Sequence, residues 1–217
     1  MKKKLSLLSF ILLLSQVHLY AGSRYCSRQG KGVAAKTTLA DAGEGDYDIK
    51  HLRFNLQVTD TALYMQGYVT TTAQVVVAAM NTYVFELDTL MTIDSVKING
   101  TRLPVTTTLG YLRKVAFHSP MYLGAMFTAQ VYYHGAAPAG SGYFNGVTHS
   151  TTAQGTHVMY TQSDPWVARV WWPVKQSVND KIDSVDMFIT TPNGVKDGSC
   201  GVLVNVDSTS MPGFTTY

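Results

Sequence analysis

Strict alternation of apolar and polar side chains opens at residue 51, where Leu52, Phe54, Leu56 and Val58 fall on one side and Arg53, Asn55 and Gln57 on the other. A period of two is the mark of a strand with one buried face. Residues 63–80 are rich in Thr, Val and Tyr, which predicts one extended strand or two parted by a bulge near Gly67. Tyr83, Phe85 and Leu87 alternate again, and Val96 and Ile98 lead into Asn99-Gly100, a strong two-residue hairpin signal that returns the chain through residues 102–105. Further strands are predicted at 112–117, 127–133, 158–161, 185–190 and 202–206. Helical periodicity is confined to the first residues. Many short strands between turn-forming clusters predict an all-β fold, an antiparallel β-sandwich or a saddle-shaped multi-sheet domain.

The same pattern sets the boundaries. Residues 47–207 hold the predicted β domain, with residues 22–46, poor in bulky side chains, as a flexible N-terminal segment and residues 208–217 as a tail or the start of a linker. Residues 135–155, dense in Gly and Pro, are predicted to form a long surface loop. At the start, Lys2, Lys3 and Lys4 precede an apolar run over residues 5–14 and a mixed segment ending at Ala21, the three parts of a secretory signal peptide spanning residues 1–21. That run falls short of the roughly 20 residues a bilayer-spanning helix needs; a membrane anchor is the other reading. The expected location is secreted or periplasmic.

The chain has 17 basic and 14 acidic residues, and cleavage after Ala21 removes three lysines and no acid, so the remainder is balanced. The basic excess therefore belongs to the signal, which argues against a nucleic-acid partner or an anionic membrane as one after cleavage. Cys26 and Cys200 are the two cysteines. Whether they pair depends on geometry that sequence does not supply.

The densest chemistry lies in residues 160–173, YTQSDPWVARVWWP, continued by VKQSVNDKIDS to residue 184. This block resembles the T-Q-x-E-P-x-x-A-R-x-W-W-P-C-x-D block in the N-terminal β domain of the zinc aminopeptidase N family, which includes the leukotriene hydrolases. Weaker likenesses run collinearly from YDIKHL at residues 47–52 and GYV at 67–69, through IDSVKING at 93–100 and VYYHG at 131–135, to ITTP at 189–192 and SCGVL at 199–203. The departures are Asp164 for the family's Glu, Val174 and Gln176 for its Cys and Asp, and Cys200 for an Asn.

The resemblance implies a substrate-anchoring, non-catalytic front domain. The family's Gln in this block accepts a hydrogen bond from the α-ammonium of the peptide N-terminus, a role that falls on Gln162, with Asp164 reinforcing it by charge. Fixing an amine at a set distance from the reacting bond restricts cleavage to the first peptide bond. Arg169, Trp171, Trp172 and Pro173 form the structural signature; strand alternation is expected to send one indole into the core and the other toward the loop or an adjoining domain. Catalytic zinc belongs to a second domain of the family, so no cofactor is expected in this chain. Its Glu residues are Glu44 and Glu86 and no His precedes a Glu, so an H-E-x-x-H motif is excluded. Gly124-Ala125-Met126 resembles the start of the family's G-A-M-E-N motif but continues with Phe127 and Thr128.

Three functions stay open. The first is the front domain of a secreted aminopeptidase. The second is a stand-alone secreted module binding peptide or carbohydrate through the aromatic-rich residues 135–172, and the third is a subunit docking onto a separate catalytic chain. A domain that normally packs against a neighbour is also expected to expose apolar surface and to self-associate.

Overall fold

Twelve strands follow one another in chain order, and the computed structural model describes them over residues 43–108, 110–138, 146–163, 166–177 and 180–217. They are β1 (Tyr47–Val58), β2 (Tyr64–Val75), β3 (Ala79–Glu86), β4 (Met91–Ile98), β5 (Thr101–Leu103), β6 (Thr106–Thr107), β7 (Leu112–Tyr122), β8 (Met126–Ala136), β9 (Gly146–Thr151), β10 (His157–Gln162), β11 (Ser184–Pro192) and β12 (Phe214–Thr216). The predicted signal peptide, most of the N-terminal segment, Cys26 and Asp164 lie outside the described residues.

A seven-stranded sheet has the order β12-β11-β1-β2-β8-β4-β5, a three-stranded sheet the order β3-β7-β6, and β9 and β10 form a hairpin. The all-β architecture agrees with the strand pattern. Pairing is antiparallel except between β1 and β11, which run parallel. A parallel pair needs a long crossover connection, and here it joins segments more than 120 residues apart in sequence.

β1 shows how a bulge completes a face. Tyr47 and Ile49 are out of phase with Leu52, Phe54 and Leu56, yet all five are buried. The register shifts by one residue between Ile49 and His51, and that shift turns both sets toward one core. Inside it, Tyr47, Tyr83 and Phe127 pack with ring centroids 5.3 and 5.8 Å from Tyr47. Burial pushes the Tyr47 phenol well above its ordinary pKa, with the neighbouring Tyr83, Glu44 and Asp180 adding to the effect. The phenol thus stays neutral and donates to the Val84 carbonyl at 2.8 Å.

The Asn99-Gly100 turn forms as expected, with φ of 48° and 82° at its two residues and Ile98 opposite Thr101. Several boundaries differ from expectation. Residues 63–80 break at positions 76–78, and Gly67 continues the β1–β2 register without a bulge. Its lack of a side chain serves close approach instead, since a Cβ there would lie 2.0 Å from the Asn55 carbonyl oxygen at a φ of +143°. Replacing Gly67 with alanine is therefore expected to lower stability by about 2 kcal/mol or more, read as a shift of the urea midpoint at unchanged slope.

Residues 202–206 form no strand; Val202 and Val204 are 89% and 94% exposed. β-propensity overstated this segment because no sheet face covers it. The neighbour of β11 comes from the predicted tail, with Thr190 opposite Thr216. β9 likewise lies within the predicted long loop. Residues 44–46 form a 3-10 turn in which Glu44 is buried, so ordered packing begins before Tyr47.

Candidate functional site

Residues 166–176 form a strap across the core rather than a strand. β10 ends at Gln162, the chain makes a 3-10 turn at Ala168–Val170, and it rejoins the three-stranded sheet at Val174, whose backbone exchanges hydrogen bonds of 2.8 and 3.0 Å with Glu86. Local chemistry fixes the turn. The Trp171 and Trp172 amides both donate to the Ala168 carbonyl at 3.2 Å, and Pro173 has no amide hydrogen with which to extend a ladder.

Both indoles are consequently buried, at 7% and 8% exposure. The expectation that they would face opposite ways assumed extended backbone, whereas Trp171 has φ −136° and ψ −14°. Phe54 of β1 stacks on Trp171 at 5.8 Å and meets Trp172 edge-on at 5.1 Å. The Trp171 indole N–H donates to Ser163 Oγ at 2.9 Å, and Tyr133 donates to the Trp171 carbonyl at 2.8 Å. The polar edge of the Trp171 indole thus meets a partner, as a buried indole usually does.

Arg169 holds the other side. Its guanidinium lies 2.7 Å from the Glu86 carboxylate and 4.2 Å from the Tyr111 ring centroid, while its carbonyl accepts the Asp88 amide at 2.8 Å. Its observed role is clamping the strap to the end of β3.

These contacts position Gln162. Its cross-strand partner is Gly146, where an added Cβ would meet Val170 Cγ2 at 2.1 Å and the Val167 carbonyl at 3.0 Å. With no Cβ in the way, the base of the β9–β10 hairpin sits directly on the strap. Gln162 is half-buried there, one residue before the serine that the Trp171 indole holds. The structure therefore places Arg169, Trp171, Trp172 and Pro173 on one strap, with Gln162 at the base of the hairpin seated on it; Asp164 falls outside the described residues.

Three supports escaped the sequence reading. Gln176, standing where the family has an acid, donates from Nε2 to the Trp166 carbonyl at 2.8 Å, and Trp166 adopts a left-handed φ of 71°. The Gln176 backbone amide donates to Oε1 of the buried Glu44 at 3.4 Å. Lys175 makes an ion pair with Asp180 at 2.6 Å and donates to the Tyr47 carbonyl, with both charged side chains under 8% exposed. A lysine and an aspartate five residues apart are common on surfaces, so only burial distinguishes this pair.

His149 and His157 stack across the hairpin with centroids 5.6 Å apart, and His149 Nε2 is buried with no hydrogen-bond partner among the described residues. Among those residues no three His, Cys, Asp or Glu side chains converge as a metal ion would require. The donor set does not fit a zinc centre. No helix among them is long and apolar enough to cross a membrane. Exposed apolar side chains include Tyr122, Leu123 and Met126 around the β7–β8 turn and Val202, Leu203 and Val204 before β12.

No family model matches the sequence, and no curated protein matches it. Solved structures do match the fold. A mutant form of an M1 zinc metallopeptidase from Deinococcus radiodurans superposes with a TM-score of 0.69 at 19% identity, over 80% of this chain and 38% of that one. A variant of that enzyme bound to a Tyr-Ser-Ala substrate gives 0.66 at 18% identity, over 80% and 39% of the two chains. Yeast LTA4 hydrolase in complex with bestatin gives 0.58 at 13% identity, over 80% and 26%. The fold is thus the one expected of an N-terminal β domain of the zinc aminopeptidases, and this chain spans well under half the length of the enzymes it matches.

Proposed function

We propose that this chain is the substrate-anchoring, non-catalytic N-terminal domain of a secreted or periplasmic zinc aminopeptidase-like protein. The observation that carries the reading is Gln162, held at the base of the β9–β10 hairpin by the strap containing Trp171 and Arg169, in a fold shared with zinc metallopeptidases. Its amide oxygen accepts a hydrogen bond from the α-ammonium of a peptide, with Asp164 adding charge. Water activation and zinc belong to a catalytic domain, which is the partner this domain meets, in the same polypeptide or in a separate chain.

Gln162 suits the role chemically. An amide oxygen accepts from an ammonium without itself being charged, so it tolerates the neighbouring apolar strap better than a carboxylate would. A hydrogen bond to a charged group is worth about 1.5–3 kcal/mol net. Substituting Gln162 with alanine is therefore expected to weaken binding of a free-amine tripeptide by about tenfold or more, measured by chemical-shift titration of the full chain. An unchanged affinity in a folded Gln162→Ala protein would remove the anchor from this residue.

A further inference from the structure

The core-facing side of β7 carries a charge where the strand pattern calls for an apolar side chain. Arg113 stands two residues before the buried Val115, opposite Phe85 on β3 and Thr107 on β6, so it shares their face of the three-stranded sheet. It is 5% exposed. Its Nη1 donates to the Gly110 and Leu112 carbonyls at 2.7 and 3.2 Å. Those bonds fix the plane of the guanidinium. Nε and Nη2 have no hydrogen-bond partner among the described residues, yet neither is sealed from solvent. Together they form the side-on edge that matches the two oxygens of one carboxylate.

Arg113 lines a cleft of about 560 Å³ between β4, β5 and the segment that leads into β6 and β7. Leu103, Pro104 and Val105 give the cleft an apolar wall, and Thr89 and Thr107 also line it. Its size is that of a small-molecule site.

The charges around the cleft narrow the class of ligand. Arg102, exposed on β5, also lines it, and its Nη2 donates to the Asp94 carbonyl at 3.0 Å. Neither guanidinium lies within ion-pairing distance of a carboxylate among the described residues. The carboxylate of Asp94, the acid in the lining, is engaged by His134 at 2.9 Å. Burial lowers the Arg113 pKa from its ordinary value, with Asp88 opposing from farther off, and an arginine remains charged throughout. An ammonium ligand would therefore meet two guanidiniums. Asp94 and Asp88 in turn limit how much negative charge the cleft accepts. A carboxylate brings one such charge, whereas a phosphate monoester brings about two.

We propose that this cleft binds a carboxylate monoanion with a short apolar body, its oxygens on Nε and Nη2 of Arg113 and its body against Leu103, Pro104 and Val105. Arg102 adds attraction at the rim. A charge-assisted, two-bond contact is the strong form of hydrogen bonding, and shielding from water strengthens it further. A free organic acid and the C-terminal residue of a peptide present the same group. The site does not use Gln162.

The test titrates the isotope-labelled full chain with sodium hexanoate and with N-acetyl-leucine, following the Arg113 Nε–H resonance and the melting temperature. Hexanamide is the uncharged control and inorganic phosphate the control for a general anion site. A saturable shift of that resonance and a raised melting temperature are expected with at least one of the two carboxylates. The tighter of the two distinguishes a free acid from a chain terminus. Arg113→Lys keeps the charge but loses the fork, and should weaken binding by about tenfold. Arg102→Gln, at an exposed position, should weaken it by a smaller factor. The Arg113 resonance of the unsubstituted chain decides the matter even where the lysine variant does not fold. No shift with either carboxylate overturns the proposal. So does an equal response to hexanamide or phosphate, or undiminished affinity in a folded Arg113→Lys protein.

Discussion

Replacing Lys175 with alanine lowers the unfolding free energy by about 3–5 kcal/mol, the range for removing one partner of a buried ion pair. The reason is what remains. Asp180 keeps a carboxylate that is 7% exposed, left without its cation and with the Ile49 amide at 3.3 and 3.4 Å and the Asp48 carboxyl beside it. That loss is a large share of the 5–15 kcal/mol that holds a typical domain together. Urea unfolding at neutral pH measures it directly. A companion Asp180→Leu substitution in the Lys175→Met background should recover much of the loss, since two apolar side chains need no charge compensation. If Lys175→Ala and Asp180→Leu were simply additive in a double-mutant cycle, the pair would not be coupled and the burial argument would fail.

Trp171→Ala is expected to cost about 3–5 kcal/mol as well, but through a cavity rather than a charge. The indole fills the space above Phe54 and holds Ser163 by its N–H. Its removal is felt twice, in stability and in the placement of the adjoining Gln162. Trp171→Phe separates the two effects, because a phenyl ring refills much of the volume and loses only the Ser163 hydrogen bond, worth about 1 kcal/mol. Amide hydrogen exchange in the β9–β10 hairpin should accelerate strongly in the alanine variant and modestly in the phenylalanine one. Equal protection in both would mean the hairpin is not held through this indole.

How the sequence foretold this molecule depends on which forces act locally. Alternation over residues 51–58 and the Asn99-Gly100 turn were legible because a pleat and a left-handed turn are decided within a few residues. The parallel pairing of β1 with β11 was not, since it is set by which distant strand completes a buried face. The bulge at residue 50 hid the burial of Tyr47 and Ile49, because a single inserted residue inverts the period. Residues 202–206 show the reverse error: a run of Val and Leu with strand propensity and no partner surface.

The site was legible in its letters more than in its shape. The TQ and WWP elements pointed to Gln162 and the two tryptophans, yet the strand assumption put the indoles on opposite sides. A 3-10 turn at Ala168–Val170 buries both instead. Gln176 stood out only as a departure from the family's pattern, and Lys175 fell at a position that the pattern leaves open. Their structural work became visible when the fold brought Trp166, Glu44 and Asp180 to them from elsewhere in the chain.

The central claim is that this domain grips a peptide by its free amine at Gln162. Its most direct measurement follows the Gln162 side-chain amide resonance while the full chain is titrated first with Tyr-Ser-Ala and then with the same tripeptide acetylated at its N-terminus. A saturable shift of that resonance is expected with the free amine and none with the acetylated peptide. Equal shifts with both peptides, or a response elsewhere in the protein with Gln162 unmoved, would contradict it.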